Sequence, residues 1–575
     1  MKSPIEFSMN LSRRNGPKST GPKSTGPRST GPRSTTKNTS CANRLAILRG
    51  SNGHRPGLTN RTHRPHDGFV ILIVLVTVVV LTLSVYTFLG LMRIEDQTTR
   101  LMTKRYQSKY LADSGVDYAR LFLTGTKEEI GARGGWWDNP DRFQAIPVAA
   151  DVSDPKQVGM FSIIAPGMDD DGLPFGHRFG LVDESTKLNL NVLPILDQIL
   201  PGSGREMLLA LPEMTEELAD SILDFIDPDD DTRDYGYESS YYSSLQPPYS
   251  AKNGPLDSLE ELLLIPGMTP QLLFGLDTNR NGILDPDELA TGNVSGLDSD
   301  MYLGMANYIT LYSKESNLNA EGLVRVNINA DDLEQLWDDL KSAFNDDWAN
   351  FVIYYRTSEE GPQVGAPTEE SATILPASRF PIDFESLESR RKFTSILDLV
   401  DSYIAADDGE NLFPYMESPV TLLNMGTTMP ILMENMTTNE GLTIPGRINI
   451  MKCPRKILEG IPGFDEEIIQ KIMEERLKWQ DDVYDINKNR KYETWLLVEG
   501  IVDLETMKTI LPFVCIGGDV YKAEIVGYFA DGAGTSRVEA VFDTTVAIPR
   551  LLNWRDKSHL PAAFSVEILG TGLMQ

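Results

Sequence analysis

The sequence has few of the residues that enzymes most often use for catalysis. Only five of its 575 residues are histidines, and three of these precede residue 68, leaving His177 and His559. These two are far apart, and neither lies in a metal-ligand or catalytic-triad pattern. Neither a Walker loop nor a dinucleotide-binding fingerprint is present. We therefore expect a protein that is not an enzyme, with no catalytic residues.

Cysteine is also scarce. The three cysteines are Cys41, Cys453 and Cys515, which are too few for a disulfide framework. Their spacing leaves open whether Cys453 and Cys515 pair with each other.

Basic residues are scarce after residue 68. Residues 1–68 contain 13 Lys and Arg against two acidic residues, whereas the remainder contains 40 basic and 81 acidic residues. An acidic body disfavours nucleic acid, whose phosphates bind through Lys and Arg, and is more typical of a protein-facing surface. A chain of this length predicts two to four domains.

The basic segment contains GPKST or GPRST four times in tandem over residues 16–35. A five-residue period of Gly and Pro without apolar residues cannot form a core, so it predicts a disordered basic arm.

Charge is absent from residues 69–92, which follow the basic segment and end before Arg93. At ~1.5 Å per residue a helix of this length crosses the ~30 Å apolar core of a bilayer. The basic side is expected to stay in the cytoplasm. No second run of this kind occurs, so the sequence predicts a single-pass membrane protein whose acidic body lies on the side opposite the cytoplasm.

Apolar periodicity predicts a helix that continues beyond the membrane and is followed by strands. Ala112, Val116, Ala119 and Leu123 recur at helical spacing, and Gly125 favours a helix end. Strand-like segments follow at 161–166 and 177–191, and the last 70 residues return to β character.

An imperfect internal repeat occupies the middle of the chain. LPEMTEELADSI (211–222) matches IPGFDEEIIQKI (461–472), and strand-like leaders recur as KLNLN, RVNIN and RINIM. Each unit predicts a helix, then a turn that contains Pro, and then a second helix that begins after a Thr or Asp N-cap. Such hairpins also suggest DNA binding, but Glu216–Glu217 and Glu466–Glu467 would repel phosphate at the second helix. We therefore expect no nucleic acid partner.

The segment DTNRNGILDPDE, residues 277–288, predicts a calcium site. An EF-hand loop supplies oxygen ligands from positions 1, 3, 5, 7, 9 and 12, with Gly at position 6. Gly282 occupies that position here. The alternatives are an acidic surface loop, or a decayed calcium loop that binds nothing. The predicted ligands are Asp277, Asn279, Asn281, the carbonyl of Ile283, Asp285 and Glu288. The acidic runs 169–171 and 227–231 are more typical of solvated surface.

Several stretches resemble the K-type minor pseudopilins of the general secretion pathway, also called type II secretion. They are LVDESTKLNLN (181–191), LADSILDFIDPDDDTRD (218–234), PPYSAKNGPLDSLEELLLIPGMT (247–269) and RINIMKCPRKILEGIPG (447–463). The resemblance implies an α+β fold, in which a pilin-like helix and antiparallel sheet carry a large inserted helical domain with helix-hairpin-helix, SAM-like repeats. It implies a minor pseudopilin that caps or initiates the pseudopilus, with the I-type and J-type minor pseudopilins and the major pseudopilin as partners.

The resemblance also implies cleavage by a prepilin peptidase between Gly68 and Phe69, with methylation of the new amine. The alternative is an uncleaved signal anchor. The chain departs from the family in its long leader, in Asp67 before Gly68, and in an additional segment near 310–445. Ile73 stands at the fifth mature position, where most pilins have Glu.

We therefore divide the chain into seven predicted regions: a basic leader (1–68), a transmembrane helix (69–92), a pilin-like helix with the first strands (93–191), a helical domain with the EF-hand-like loop (192–310), an additional helical repeat (311–445), a helix-hairpin-helix unit (446–505) and a closing β segment (506–575). Two alternative functions remain open. One is an inner-membrane anchored component for DNA binding, DNA uptake or a type IV pilus. The other is an anchored calcium-binding domain unrelated to secretion.

Overall fold

The structure is a computed structural model, and it describes most of the chain after residue 66. The described residues are 67–148, 157–169, 172–292, 302–359, 361–367, 372–405, 414–481, 488–532 and 534–570. The predicted basic arm, 16–35, lies outside them. The chain divides into two units, Met1–Ser84 and Val85–Gln575.

Helix α1 (Asp67–Phe122) is long because no Pro interrupts it and its first part is uniformly apolar. Within the described residues it alone is long and apolar enough to cross a membrane. The helix ends just before Gly125, which has a φ of +126°. Glycine adopts this backbone conformation without a steric penalty, so the predicted helix end is confirmed.

The second half of α1 packs on a sheet within the second unit. Ala112, Val116, Ala119 and Leu123 are all buried there, as their helical spacing predicts. They share a core with Phe161 and other apolar side chains of the sheet. The small alanines allow the helix to approach the sheet closely.

The principal sheet contains seven of the described strands. It runs in the order β1-β2-β17-β18-β19, with β3 paired to β2 and β4 paired to β17, and all pairs are antiparallel. Alternate residues face opposite sides, so Ile163 and Ile525 lie in the core under α1, whereas Ile164 and Val526 lie in a core on the other face. The strands are β1 (Ile146–Pro147), β2 (Gly159–Met168), β3 (Pro174–Arg178), β4 (Val182–Asp183), β17 (Val520–Phe529), β18 (Ser536–Asp543) and β19 (Arg550–Asp556).

The chain between β4 and β17 is mainly helical and has its own extensive core. The α-helices after α1 are α2 (Lys127–Ala132), α3 (Pro140–Phe143), α4 (Leu193–Ile199), α5 (Ser203–Leu209), α6 (Glu216–Ile226), α7 (Ser239–Tyr242), α8 (Pro270–Phe274), α9 (Pro286–Gly292), α10 (Leu333–Ala343), α11 (Asp346–Thr357), α12 (Met425–Asn435), α13 (Arg455–Glu459), α14 (Glu466–Asp481), α15 (Trp495–Val498), α16 (Leu504–Ile510) and α17 (Val566–Leu569). Short 3₁₀ helices occupy Glu184–Thr186, Leu190–Val192, Leu259–Leu264, Met305–Asn307, Ala377–Arg379, Phe384–Ser386, Ile396–Leu399 and Lys488–Lys491.

The remaining strands are short. They are β5 (Leu188–Asn189), β6 (Ile309–Thr310), β7 (Lys314–Ser316), β8 (Val326–Asn327), β9 (Gln363–Val364), β10 (Thr373–Pro376), β11 (Ser402–Ala405), β12 (Pro414–Glu417), β13 (Met436–Thr437), β14 (Thr443–Pro445), β15 (Ile448–Asn449) and β16 (Val514–Cys515).

The three repeated leader sequences adopt one local structure. Strands β5, β8 and β15 each form a two-residue parallel pair, with β6, β13 and β16 respectively. In each leader the side chain of an asparagine, Asn189, Asn327 or Asn449, accepts a hydrogen bond from the backbone N–H two residues later. The sequence repetition therefore corresponds to repeated backbone geometry.

The segment 311–445 differs from its expected helical character. It contains α10, α11 and α12, but also a four-stranded sheet in the order β10-β12-β11-β9. Strands β10 and β12 are parallel in this sheet. The prediction of a helical repeat here was therefore incomplete, because these strands are only two to four residues long and carry little period-two signal. Taken together, the described residues form a mixed helix and sheet fold with a long apolar helix near the N-terminus.

Candidate metal centre

The predicted calcium loop lies between helices α8 and α9. Its Gly282 has a φ of +84°, and a Cβ atom there would lie 3.2 Å from Pro166. A side chain would therefore suffer both backbone strain and crowding, so glycine is required at this turn. The turn reverses the chain between the first and last predicted ligands.

The structure brings the predicted ligands together in a buried loop. Asp277, Asn279 and Asn281 are 3%, 4% and 4% exposed, and Glu288 is 8% exposed. The side chain of Ile283 is also buried. Such burial is unusual for an acidic loop and is inconsistent with the alternative of a solvated acidic surface.

Backbone amides orient the two outer carboxylates. Asp277 accepts from the N–H groups of Asn281 at 3.0 Å and Gly282 at 2.8 Å. Glu288 Oε1 accepts from the N–H of Asn279 at 3.2 Å, and Glu288 Oε2 accepts from that of Asp285 at 3.1 Å. The loop backbone therefore holds both carboxylates in place.

The two asparagines converge on the remaining carboxylate. Asn279 Nδ2 and Asn281 Nδ2 donate to the same oxygen of Asp285, at 2.7 and 3.0 Å. Rotation of either amide by a half turn would present an oxygen instead of a nitrogen to the same point. Carboxylate and amide oxygens are the ligands that Ca²⁺ prefers, so the donor set fits this ion.

Burial makes the loop electrostatically unfavourable without a cation. Loss of hydration raises the pKa of Asp277 to about 6, and the nearby charge of Glu288 acts in the same direction. Hydrogen bonds from Gly282 and Asn281, and the charge of Arg537, oppose this rise. A divalent cation would stabilise the ionised carboxylates of Asp277 and Glu288 together.

Three residues that sequence reasoning missed support the loop from the principal sheet. Arg537 in β18 donates to the backbone carbonyls of Asn279 and, at 2.6 Å, Arg280. Lys557 donates to the carbonyl of Arg280 at 3.2 Å. Glu524 in β17 forms ion pairs with both Arg537 and Lys557. No spacing or motif relates these residues to the loop, which lies more than 230 residues earlier.

The acidic segment 227–231 is only partly solvated. Asp227 is 5% exposed and pairs with Arg233 at 2.6 Å, so the prediction of a solvated surface is wrong for this residue. Carboxylate oxygens of Asp227, Asp229 and Glu238 lie within 4.8 Å of one another. In the segment 169–171, Asp169 is exposed, and residues 170–171 lie outside the described residues.

The predicted processing residues Gly68 and Phe69 both lie in the first turn of α1. The side chains of Phe69 and Ile73 are 65% and 48% exposed.

The two cysteines and the two helix N-caps singled out in the sequence belong to the protein's internal structure. Cys453 and Cys515 are buried free thiols in the structure, which leaves them unpaired. Thr215 and Asp465 cap α6 and α14 as predicted, by accepting backbone hydrogen bonds at 3.2 and 2.8 Å.

Comparison with known proteins gives one family match. Residues 186–277 match the first-domain model of the family described as "Type II secretion system (T2SS), protein K". The chain is also similar to a chain in the crystal structure of the GspK-GspI-GspJ complex from the type 2 secretion system of enterotoxigenic Escherichia coli. That similarity has 13% identity and a TM-score of 0.29, and it covers 80% of this chain and 98% of the other. No curated protein matches the sequence.

Proposed function

Residues 186–277 identify the chain as a member of the type II secretion protein K family, and we propose that it works as a minor pseudopilin that caps or initiates the pseudopilus. The family match is the observation that carries this proposal. The packing of α1 on an antiparallel sheet supports it, because that arrangement fits a pilin-like subunit. We assign the chain a structural role in assembly and no catalytic role.

The topology supports a pilin-like domain with a large insertion. Strands β1–β4 precede the helical region and β17–β19 follow it, yet all seven belong to one sheet. We propose that residues 184–519 are inserted into the pilin-like domain. The capped helices α6 and α14 and their preceding turns fit the proposed helix-hairpin-helix, SAM-like repeats.

Membrane anchoring follows from the proposed role. We propose that residues 69–92 of α1 cross the inner membrane, with the basic leader in the cytoplasm and the acidic body in the periplasm. The 13 basic residues before Phe69 support this orientation.

The proposed partners are the I-type and J-type minor pseudopilins, the major pseudopilin and the prepilin peptidase. GspI and GspJ accompany GspK in the similar complex from E. coli. The apolar residues along α1, which are exposed in the isolated chain, would pack against the corresponding helices of these partners.

We propose that the loop 277–288 binds calcium in a structural role. The converging side chains of Asp277, Asn279, Asn281, Asp285 and Glu288, with the carbonyl of Ile283, would hold the ion. An ion there would strengthen the loop where Arg537 and Lys557 attach it to the sheet, so calcium would stabilise the contact between the helical region and the sheet.

The DNA-binding alternative is less well supported. In the turn where a phosphate would bind, Glu216 pairs with Arg205 at 3.0 Å and Glu467 pairs with Lys471 at 2.8 Å. The basic side chains nearest these helix starts are therefore already engaged with carboxylates, and phosphate would have to displace them.

A complementation experiment tests the proposed role and the proposed cleavage together. Deleting the chain should strongly reduce both type II secretion and the number of pseudopili, and the wild type should restore both. Gly68→Val should fail to restore secretion, and the mass of the extracted protein should show residues 1–68 still attached. Gly90→Ala is the matched control, since a Cβ at Gly90 meets no atom within 4 Å.

Two results would contradict these proposals. Normal secretion in the deletion strain would remove the assembly role. Full activity of a wild-type protein that keeps residues 1–68 would refute cleavage between Gly68 and Phe69 while leaving the assembly role intact.

A further inference from the structure

A positively charged cleft lies on the side of the calcium loop that faces the principal sheet. Its volume is about 90 Å³, and its walls come from strands β2–β4, residues 280–282 and residues 452–454. Six cationic side chains line it against one carboxylate, that of Glu524. The chain as a whole carries 83 acidic and 53 basic residues, so the charge of this cleft is opposite in sign to that of the protein.

Three of the six cations are neutralised by carboxylates. Arg280 pairs with Glu260 at 3.1 Å. Lys522 lies 3.9 Å from Glu184, and Lys557 pairs with Glu524 at 3.2 Å. These residues need no further partner.

The other three cations, Arg178, Lys187 and Lys452, form no ion pair with any residue that the structure describes. Arg178 is only 6% exposed. One of its terminal nitrogens donates to the carbonyl of Trp137, but its Nε is buried and has no hydrogen-bond partner among the described residues. A buried charged donor without an acceptor is costly, so this arginine indicates a missing anionic partner.

Two of these cations lie over the same aromatic ring, that of Trp137. The guanidinium carbon of Arg178 lies 3.6 Å from the centre of the Trp137 ring, and Lys452 Nζ lies 4.8 Å from the same centre. A single aromatic ring offers only weak compensation for two positive charges. A bound anion near both groups would offset the repulsion between their charges and their loss of hydration.

The titration of the three groups agrees with this geometry. Burial lowers the pKa of Arg178 to about 9. Burial also lowers the pKa of Lys452, and the charges of Arg178 and Arg476 add to the effect. The pKa of Lys187 is lowered by burial and by the neighbouring Lys522. A bound anion would favour the charged form of each group.

We propose that this cleft binds an oxyanion group, either a carboxylate or a small tetrahedral oxyanion, through Arg178, Lys187 and Lys452. This volume is several times the ~10–15 Å³ that one water needs by the same measure, so the cleft accommodates such a group. Ile164 and Pro166 contribute apolar atoms to the walls, and a less polar environment strengthens the attraction between opposite charges. This binding activity is separate from calcium binding and from assembly.

Calorimetric titration of the full chain in detergent tests the proposal. Sodium sulfate and sodium acetate would be titrated at constant ionic strength, calcium and pH, with sodium chloride as the reference. At least one of the two anions should give saturable binding that chloride does not give. Tighter binding of acetate would identify a carboxylate site, and tighter binding of sulfate a site for tetrahedral oxyanions.

Three variants distinguish specific binding in the cleft from a general effect of salt. Lys452→Gln and Lys187→Gln should each weaken binding about tenfold, the effect of losing one hydrogen bond to a charged group. Lys341→Gln should bind as the wild type does. Lys341 is a matched control because its Nζ also lies over a tryptophan ring, 4.4 Å from the centre of Trp337, but it pairs with Asp346. Absence of saturable binding by both anions would overturn the proposal, as would equal binding by the wild type and both cleft variants.

Discussion

Asp277 is a buried carboxylate whose hydrogen bonds come from backbone amides. Backbone N–H groups supply partial positive charge, but they do not neutralise an ionised carboxylate in a protein interior. Glu288 is in a similar position, since backbone amides also donate to both of its oxygens. A loop with two such groups at its ends is stabilised by any cation that binds both.

Asp277→Asn should therefore remove most of the stabilisation that calcium provides. The substitution preserves the shape of the side chain and removes its charge. A wild-type site with a Kd of ~10⁻⁴ M would gain about 2.7 kcal/mol at ~10 mM calcium. Melting temperatures of the wild type and the variant, each in calcium and in chelator, measure the difference.

Asp287→Asn is the matched control for this prediction. Asp287 is exposed and does not occupy a ligand position in the loop pattern. This variant should respond to calcium as the wild type does. Equal melting of the wild type in calcium and in chelator would show that the loop binds no calcium under these conditions.

Spacing could predict that the residues of the loop 277–288 lie close together, because all six proposed ligand positions fall within twelve residues. The supporting residues Arg537, Lys557 and Glu524 could not be predicted in this way. Their relation to the loop depends on the long-range pairing of β17 with β18, which a single sequence does not reveal. The burial of Asp227 was missed for a different reason: Arg233 is only six residues away, but proximity in sequence does not predict burial.

The contact between α1 and the principal sheet depends on a close approach of two backbones. A Cβ atom on Gly527 of β17 would lie 2.2 Å from the carbonyl oxygen of Ser108 and 2.5 Å from the backbone nitrogen of Ala112. Backbone atoms cannot rotate away as a flexible side chain can. Glycine at this position is therefore required for the packing of the helix on the sheet.

Gly527→Ala should destabilise the second unit by about 3 kcal/mol or more, at the upper end of the range for overpacked cores. Urea unfolding of the full chain in detergent, followed by tryptophan fluorescence, measures the change. Gly517→Ala is a control from a nearby loop, where a Cβ would have its nearest neighbour at 3.9 Å. This control should remain within about 0.5 kcal/mol of the wild type. Equal stability of the two variants would mean that α1 does not approach the sheet as closely as described.

Among the helices and strands, the sequence pattern predicted those features that depend on residues close together in the chain. The buried stripe of α1, its end before Gly125 and the caps of α6 and α14 all depend on residues within one or two helical turns. The sheet β10-β12-β11-β9 was not predicted, because its strands are very short and its parallel pair joins segments about 40 residues apart. Such strands acquire their conformation from pairing rather than from their own pattern.

Across the whole molecule, charge and hydropathy separate three parts: a basic leader, an apolar segment and an acidic remainder. The segment 69–92 carries no charged side chain, so none of its side chains could form an ion pair inside a bilayer. In pilin-like fibres, Glu at the fifth mature position is thought to neutralise the terminal amine of a neighbouring subunit. The proposed mature chain has Ile73 there. A subunit with no neighbour above it would not need this pair.

The size of the acidic remainder also favours a position at the end of the fibre. The helical region between β4 and β17 spans residues 184–519, which is far more chain than the sheet itself. A repeating subunit would have to accommodate this bulk at every step along the fibre. A single subunit at the end avoids that constraint, so we infer that the chain caps the fibre and helps to start its assembly.

We therefore expect a tag on the body of this chain to label only one end of each pseudopilus in electron micrographs. Ile73→Glu should still insert into the membrane, because one carboxylate near a helix end costs only a few kcal/mol and can be protonated there. The variant should remain at the tip, since bulk as well as position 73 opposes its incorporation into the shaft. Fibres formed without the chain should be few, and secretion should fall with them. Regular labelling along the shaft by the wild type would refute the proposal that the chain is a cap. Labelling of the shaft by Ile73→Glu alone would show that the missing carboxylate, rather than the size of the body, determines the position.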